Sequence, residues 1–237
     1  MTKTIDINEI KQKLFKKLEP SGWDKILKSF IFSTDFENII IQLVTLSKDS
    51  KRFTPKLSQL FKAFEECPYD KLKIIMIGQD PYPELGIADG IAFSCSNTME
   101  QHPQLRYLLN AVNKTVYDGV GQSYDPNLTR WSNQGILMLN TALTTTIGKP
   151  GQHYPIWKPF LAYLFDYFSF AHTGLVYVYI GKQAQDWKDL IHDMNYKFSI
   201  SHPASAAYLD DSQWDCENIF NDINNIMYNL YGEKITW

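Results

Sequence analysis

Cysteine is scarce. The 237-residue chain has three, Cys67, Cys95 and Cys216, odd in number and far apart. With no CxxC pair and no zinc-type spacing, neither a disulfide framework nor a structural zinc site organises the chain, and a reducing intracellular setting is expected. Long apolar runs are missing too. No stretch approaches the roughly 20 residues of a membrane span, and Met1-Thr2-Lys3-Thr4-Ile5-Asp6 has no apolar signal core. The expected location is the cytoplasm, with a nuclear or viral-host compartment as the alternative, and no membrane partner. An excess of positive charge is also absent: 23 Lys and Arg stand against 26 Asp and Glu, a net charge of −3. That excludes a global basic footprint, so any nucleic-acid site must be a local patch. Gly119-x-Gly121 is too short and wrongly placed for a dinucleotide loop. No nucleophile elbow or metal-ligand cluster occurs, and no cofactor or metal is expected.

What is present suits a large core. Hydrophobic residues make up 44% and aromatics 14%, and the length is that of one domain spanning residues 1–237. Helical periodicity marks Ile7–Leu18, Trp23–Phe32, Glu37–Leu46, Pro55–Glu66, Leu105–Val116, Pro159–Phe170, Ala184–His192 and Asn218–Tyr231. Short apolar runs at 72–77, 135–139, 175–180 and 198–201 read as strands. Strands alternating with helices predict a three-layer α/β/α fold around a mostly parallel four-stranded sheet.

The run Lys73-Ile74-Ile75-Met76-Ile77 stops at Gly78-Gln79-Asp80-Pro81-Tyr82-Pro83, a carboxylate in a loop stiffened by two prolines. Pro81 biases Asp80 away from the helical region. Two other strands also end in a polar residue, Asn140 and His202. Ligands of open α/β sheets bind at the carboxyl ends of strands, so the three side chains are placed to converge. Taken singly, each has an ordinary structural explanation as a turn or cap residue, and together they name a site without a substrate.

The loop Gly78-Gln79-Asp80-Pro81-Tyr82 resembles the water-activating loop of family-one uracil-DNA glycosylases. Three further segments are similar in the same order: Ile87-Ala88-Asp89-Gly90-Ile91-Ala92-Phe93-Ser94; Trp131 through Leu139-Asn140-Thr141; and Ser201-His202-Pro203-Ala204-Ser205. The likeness runs from about Trp23 to the C-terminal helix. It implies a hydrolytic DNA N-glycosylase of that fold that flips uracil out and leaves an abasic site, the first step of base-excision repair. On that resemblance Asp80 orients the attacking water and stabilises an oxocarbenium-like sugar, and His202 donates to uracil O2. Asn140 matches uracil N3–H and O4, Phe93 stacks on the base, Tyr82 crowds C5 against thymine, and Gln79 lines the pocket. Gln104, Lys182, Ser205 and Tyr208 are the implied DNA-gripping residues. The implied partners are uracil-containing single- or double-stranded DNA and a protein inhibitor of the family, with the chain itself a monomer. A non-enzymatic DNA-binding subunit and a glycosylase for another base are the competing readings.

Four positions depart from the family pattern, and at one of them Lys182 stands where the family usually has a small residue. Pro83 and Asp89 stand where relatives commonly carry His. Ala206 takes the place of a Leu that wedges into the gap left by the flipped base, and an Ala cannot fill that gap. Either Tyr208 or Leu209 takes over, or the enzyme depends less on a wedge.

Overall fold

The computed structural model describes residues 6–48, 52–98, 100–120, 125–207 and 214–237. In chain order its strands are β1 (Phe53–Thr54), β2 (Ile74–Gly78), β3 (Ile136–Asn140), β4 (Thr145–Thr146), β5 (Val176–Ile180) and β6 (Tyr196–Ile200). The α-helices are α1 (Ile7–Leu18), α2 (Asp24–Ile31), α3 (Thr34–Lys48), α4 (Lys62–Glu66), α5 (Pro103–Val116), α6 (Thr129–Ser132), α7 (Tyr154–Ala171), α8 (Lys182–Gln185) and α9 (Ile219–Tyr231). Strands β3, β2, β5 and β6 form, in that order, the expected parallel sheet.

Alternation along the strands explains the layers. Ile75, Ile77, Leu137, Leu139, Tyr177 and Tyr179 face one core with α1–α4 and α7. Their neighbours Ile74, Met76, Ile136, Met138, Val176 and Val178 face a second core with α5, α6 and α9. Central strands buried on both faces read as continuous apolar runs, which is how they are written here. The edge strand β6 is half exposed and carries Lys197.

Local chemistry sets several boundaries. Asp6 caps α1 by accepting from the Asn8 and Glu9 amides at 2.9 and 3.2 Å. Pro103 opens α5 at a position where its missing N–H costs nothing. Three predicted helices come out differently. Helix α7 starts at Tyr154, not Pro159, because His153 and Pro155 begin it and Pro159 sits inside it. The span predicted as Pro55–Glu66 breaks into a 3-10 turn, Leu57–Gln59, and the short α4. At the break the Gly90 loop presses on the Gln59 carbonyl so closely that a Cβ on Gly90 would lie 2.1 Å from that oxygen. The predicted Ala184–His192 helix is α8 followed by a separate 3-10 turn, Lys188–Leu190. The two-residue antiparallel ladder β1–β4 carries no alternation long enough to be read from sequence.

Candidate active site

Strand β2 sits between β3 and β5, so the loops after all three strands meet at one edge. Asp80 lies two residues beyond β2, half buried. The Gly151 amide donates to its Oδ2 at 2.6 Å, and the Tyr154 hydroxyl reaches Oδ1 at 3.4 Å. Burial raises the Asp80 pKa above its ordinary 3.8; Gly151, Thr145 and Tyr154 oppose the shift without cancelling it. The segment that supplies Gly151 and Tyr154 is braced at several points. Thr145–Thr146 pairs with β1, and the Gly148 amide donates to the Pro83 carbonyl at 2.9 Å. Pro83 thus helps fix the Asp80 loop through its backbone, and it offers no side-chain donor.

His153 supports the same segment. It is buried between the Thr144 and Thr146 hydroxyls at 2.8 and 3.0 Å. Thr144 in turn accepts from the Trp157 indole at 2.7 Å. Burial pushes the His153 pKa from 6.5 to about 4, so the ring is neutral.

Asn140 ends β3 directly opposite Gly78 in the ladder. A Cβ on Gly78 would meet Asn140 Oδ1 at 2.6 Å and the Phe93 ring at 3.1 Å. Glycine there lets the Asn140 amide and the Phe93 ring close in on the strand. Phe93 has φ +64°, an uncommon conformation for a bulky residue, of the kind that clusters at functional sites. Asp89 helps hold it. Its fully buried carboxylate accepts from the Ile91 amide at 3.0 Å, the Ser94 hydroxyl at 2.6 Å, and both the amide and hydroxyl of Ser96. Lys62 Nζ lies 3.8 Å away. Tyr82, also buried, donates to the Phe93 carbonyl at 2.8 Å and packs its ring on His102 at 4.0 Å between centroids.

His202 follows β6, with its ring centroid 5.7 Å from that of Phe93. Its Nδ1 accepts from the Ala204 amide at 3.2 Å. Burial lowers its pKa from 6.5 to about 4. The imidazole is therefore neutral near pH 7, and because Nδ1 is an acceptor the proton sits on Nε2. Sequence alone leaves that protonation open.

Gln79 lies between the two sides of the site. Its carbonyl is taken by the Thr141 hydroxyl and the Ala142 amide at 2.6 and 3.1 Å, so it is not free to bind a ligand. Its side chain packs on Gly181, where a Cβ would come within 2.4 Å of Nε2 and 3.0 Å of the His202 Cβ.

A pocket lined by Asp80, Tyr82, Phe93, Gln104 and Asn140 brings those side chains together, while His202 stands behind Phe93 and Gln79 beside Gly181, outside its lining. Gln104, expected on the DNA-gripping surface, contributes to the pocket wall from the first turn of α5. Lys182 is exposed at the start of α8, beside Gly181. The Ser205 hydroxyl donates back to the His202 carbonyl at 2.7 Å, stiffening its own turn. Tyr208 lies outside the described residues. Gly151, Tyr154 and the bracing role of Asp89 have no signal in the sequence, since a backbone donor becomes functional only through tertiary placement. Among the described residues no group of His, Cys, Asp and Glu could hold a metal, and no helix is long and apolar enough to cross a membrane.

A depressed histidine pKa is also a statement about stability. His153 and His202 stabilise the fold as neutral rings above pH 6.5, and that contribution is lost as pH falls through about 4. For the fully enclosed His153 the shift corresponds to roughly 3 kcal/mol. The unfolding free energy is expected to fall between about pH 6.5 and 4, and the drop should be smaller in His153→Gln. Chemical denaturation at a series of pH values measures both.

Known proteins resemble this chain in sequence and in fold. The profile of the Uracil DNA glycosylase superfamily matches residues 64–224. The uracil-DNA glycosylase of Mycoplasmopsis pulmonis is 33% identical over 199 residues, covering 79% of this chain and 84% of the relative. That of Acinetobacter baumannii strain SDF is 27% identical over 227 residues, 95% of this chain and 94% of the relative. The crystal structure of mimivirus uracil-DNA glycosylase superposes with a TM-score of 0.81 at 23% identity, covering 94% of this chain and 88% of that one. A mimivirus UNG variant in complex with UGI superposes at 0.82 with 23% identity, covering 94% and 90%. By its matched profile and its curated relatives, this chain belongs to the uracil-DNA glycosylase superfamily.

Proposed function

We propose that this protein hydrolyses the bond between uracil and deoxyribose in DNA, and that Asp80, Asn140, Phe93 and His202 do the work. The observation that carries this reading is the convergence of Asp80, Tyr82, Phe93 and Asn140 on one pocket, with the Asn140 amide and the Phe93 ring side by side over Gly78. A planar base with a donor beside an acceptor suits that pocket. Uracil offers N3–H and O4 to the Asn140 amide, whereas cytosine offers the reverse pattern and leaves buried polar groups unpaired. Tyr82, fixed by its bond to the Phe93 carbonyl, blocks a 5-methyl group.

When the C1′–N1 bond breaks, its electron pair leaves on the base and the sugar becomes cationic. His202 Nε2–H meets the negative charge that grows on O2. A neutral donor suffices there and does not require a buried cation. The Asp80 carboxylate faces the positive charge on the sugar. With one oxygen held by Gly151, its remaining lone pairs orient a water whose oxygen adds to C1′ and whose proton passes to the carboxylate. The base has to leave the helix to reach this pocket.

The test is incubation with a uracil-containing oligonucleotide in chelator, followed by alkali. Strand breaks at the uracil that vanish in Asp80→Asn support the reading. Wild-type inactivity on both single and double strands overturns it. A protein inhibitor of the family is proposed as a further partner, in line with the UGI complex of the mimivirus variant.

Ala206 adds a substrate preference. It is 2% exposed, part of the core and not a wedge. With no apolar side chain at that position to fill the vacated stack, less of the cost of unpairing is recovered. Single-stranded uracil is expected to be released faster than uracil in a stable U·A duplex. Equal single-turnover rates on the two would refute this preference.

A further inference from the structure

A second groove opens beside the pocket, between the start of α7 and the segment that follows β5. It is lined by Thr141, Tyr154, Pro155, Lys158, Gln183, Asp186, Trp187 and Leu190, with a volume of about 590 Å³. It adjoins the site just described. Thr141 follows the base-reading Asn140 and donates to the Gln79 carbonyl, while the Tyr154 hydroxyl reaches Asp80. Gln183 is two residues from Gly181, which packs on both Gln79 and His202.

The groove has two chemical characters. Pro155, Trp187 and the 53%-exposed Leu190 give it an apolar wall. Trp187 lies against Phe165 at 5.4 Å between centroids and 35° between planes, which holds a half-buried indole in a fixed orientation. Three donors complete the lining: the Lys158 ammonium, the Gln183 amide and the Trp187 indole N–H. None of them has a hydrogen-bond partner or counter-charge among the described residues. Asp186 is the one carboxylate in the lining. Apolar walls suit a base, and unpaired donors suit a phosphodiester. Lys182, exposed next to Gln183 in the chain, adds a second cation on the same segment.

We propose that this groove is a single-stranded DNA subsite. It holds the nucleotides flanking the flipped uracil on its own strand, with a base against Trp187 and Leu190 and a phosphate at Lys158. The proposal rests on the uracil-excision reading for its register, but the groove's affinity for a single strand can be measured without it. The buried side of Ala206 fits such a track, because an enzyme that follows an unpaired strand has less need of a wedge.

Two measurements on the full chain test it. Equilibrium binding to uracil-free single strands of increasing length is compared for wild type, Lys158→Glu and Trp187→Phe. Excision kinetics are run on a long single-stranded substrate and on a minimal one with a single nucleotide on each side of uracil. Lys158→Glu, at an exposed position that puts no fold at risk, is expected to weaken binding of long strands about tenfold and to flatten the salt dependence. It should lower kcat/KM on the long substrate by a similar factor and leave the minimal one unchanged. Trp187→Phe keeps an aromatic face and is expected to retain most of the binding. Equal losses on long and minimal substrates, or unchanged binding of long strands in Lys158→Glu, would overturn the subsite. Wild-type failure to release uracil would overturn the activity instead, leaving the binding arm to judge the groove.

Discussion

Asp80→Asn is expected to slow uracil release by about 10²–10⁴-fold in single-turnover assays, and to make the folded protein no less stable. The substitution keeps the shape of the side chain, and an amide oxygen can still accept from Gly151. It removes the negative charge that faces the cationic sugar and the base that takes the proton from water. The stability half follows from the raised pKa of Asp80. A carboxyl whose folded pKa lies above its unfolded value favours the fold when protonated, and that contribution disappears as pH rises through the folded pKa. Near neutrality the ionised group is therefore a cost, and the neutral Asn removes it. The acid limb of kcat/KM should lie above 3.8 for the same reason. Parallel loss of activity and of unfolding free energy in Asp80→Asn would show that the residue is structural.

Gly78→Ala is the second large effect, and it acts on Asn140 and Phe93 together. The added methyl would stand 2.6 Å from Asn140 Oδ1 and 3.1 Å from the Phe93 ring. Gly78 does not have the positive φ that would make alanine strained, and the nearest clashing atom ends a side chain that can turn aside. The fold is expected to survive while the base loses its stacking floor and its amide partner together. Stacking and a two-point hydrogen-bond contact are each worth roughly 1–3 kcal/mol. The combined effect on kcat/KM is about 10²–10⁴-fold, at an unchanged melting temperature. Comparable activity in Gly78→Ala would mean that the base does not enter between Asn140 and Phe93.

Much of the fold and part of the site can be read directly from the residues. The parallel sheet is legible in four apolar runs alternating with helices, because strands buried on both faces must be written that way. Asp80, Asn140 and His202 are legible because a parallel sheet gathers strand ends at one edge. Family resemblance then supplies Phe93 and Tyr82, which composition alone would assign to the core. The parts that hold Asp80 are not legible. The Gly151 amide is identical in sequence to any other, and Tyr154 is assigned to the site only by how α7 begins. Asp89 departs from the family pattern, and the fold makes that departure the buried anchor of the Phe93 turn. Helix ends fail where tertiary contacts intervene, as at Gln59, where the Gly90 loop interrupts a periodicity that leaves Leu60, Phe61 and Phe64 correctly buried.

The pairing of Gly78 with Asn140 in the β2–β3 ladder reaches beyond architecture. Side chains alternate faces along a strand, so a slip of one residue would turn the Asn140 amide to the opposite face of the sheet. The same slip would exchange the apolar residues of β3 between the two cores they fill. On the proposed role of Asn140, recognition of the base is locked to a register that the whole interior enforces. Drift toward another base is open only through replacement of individual side chains, since any backbone route to new specificity would first dismantle the protein.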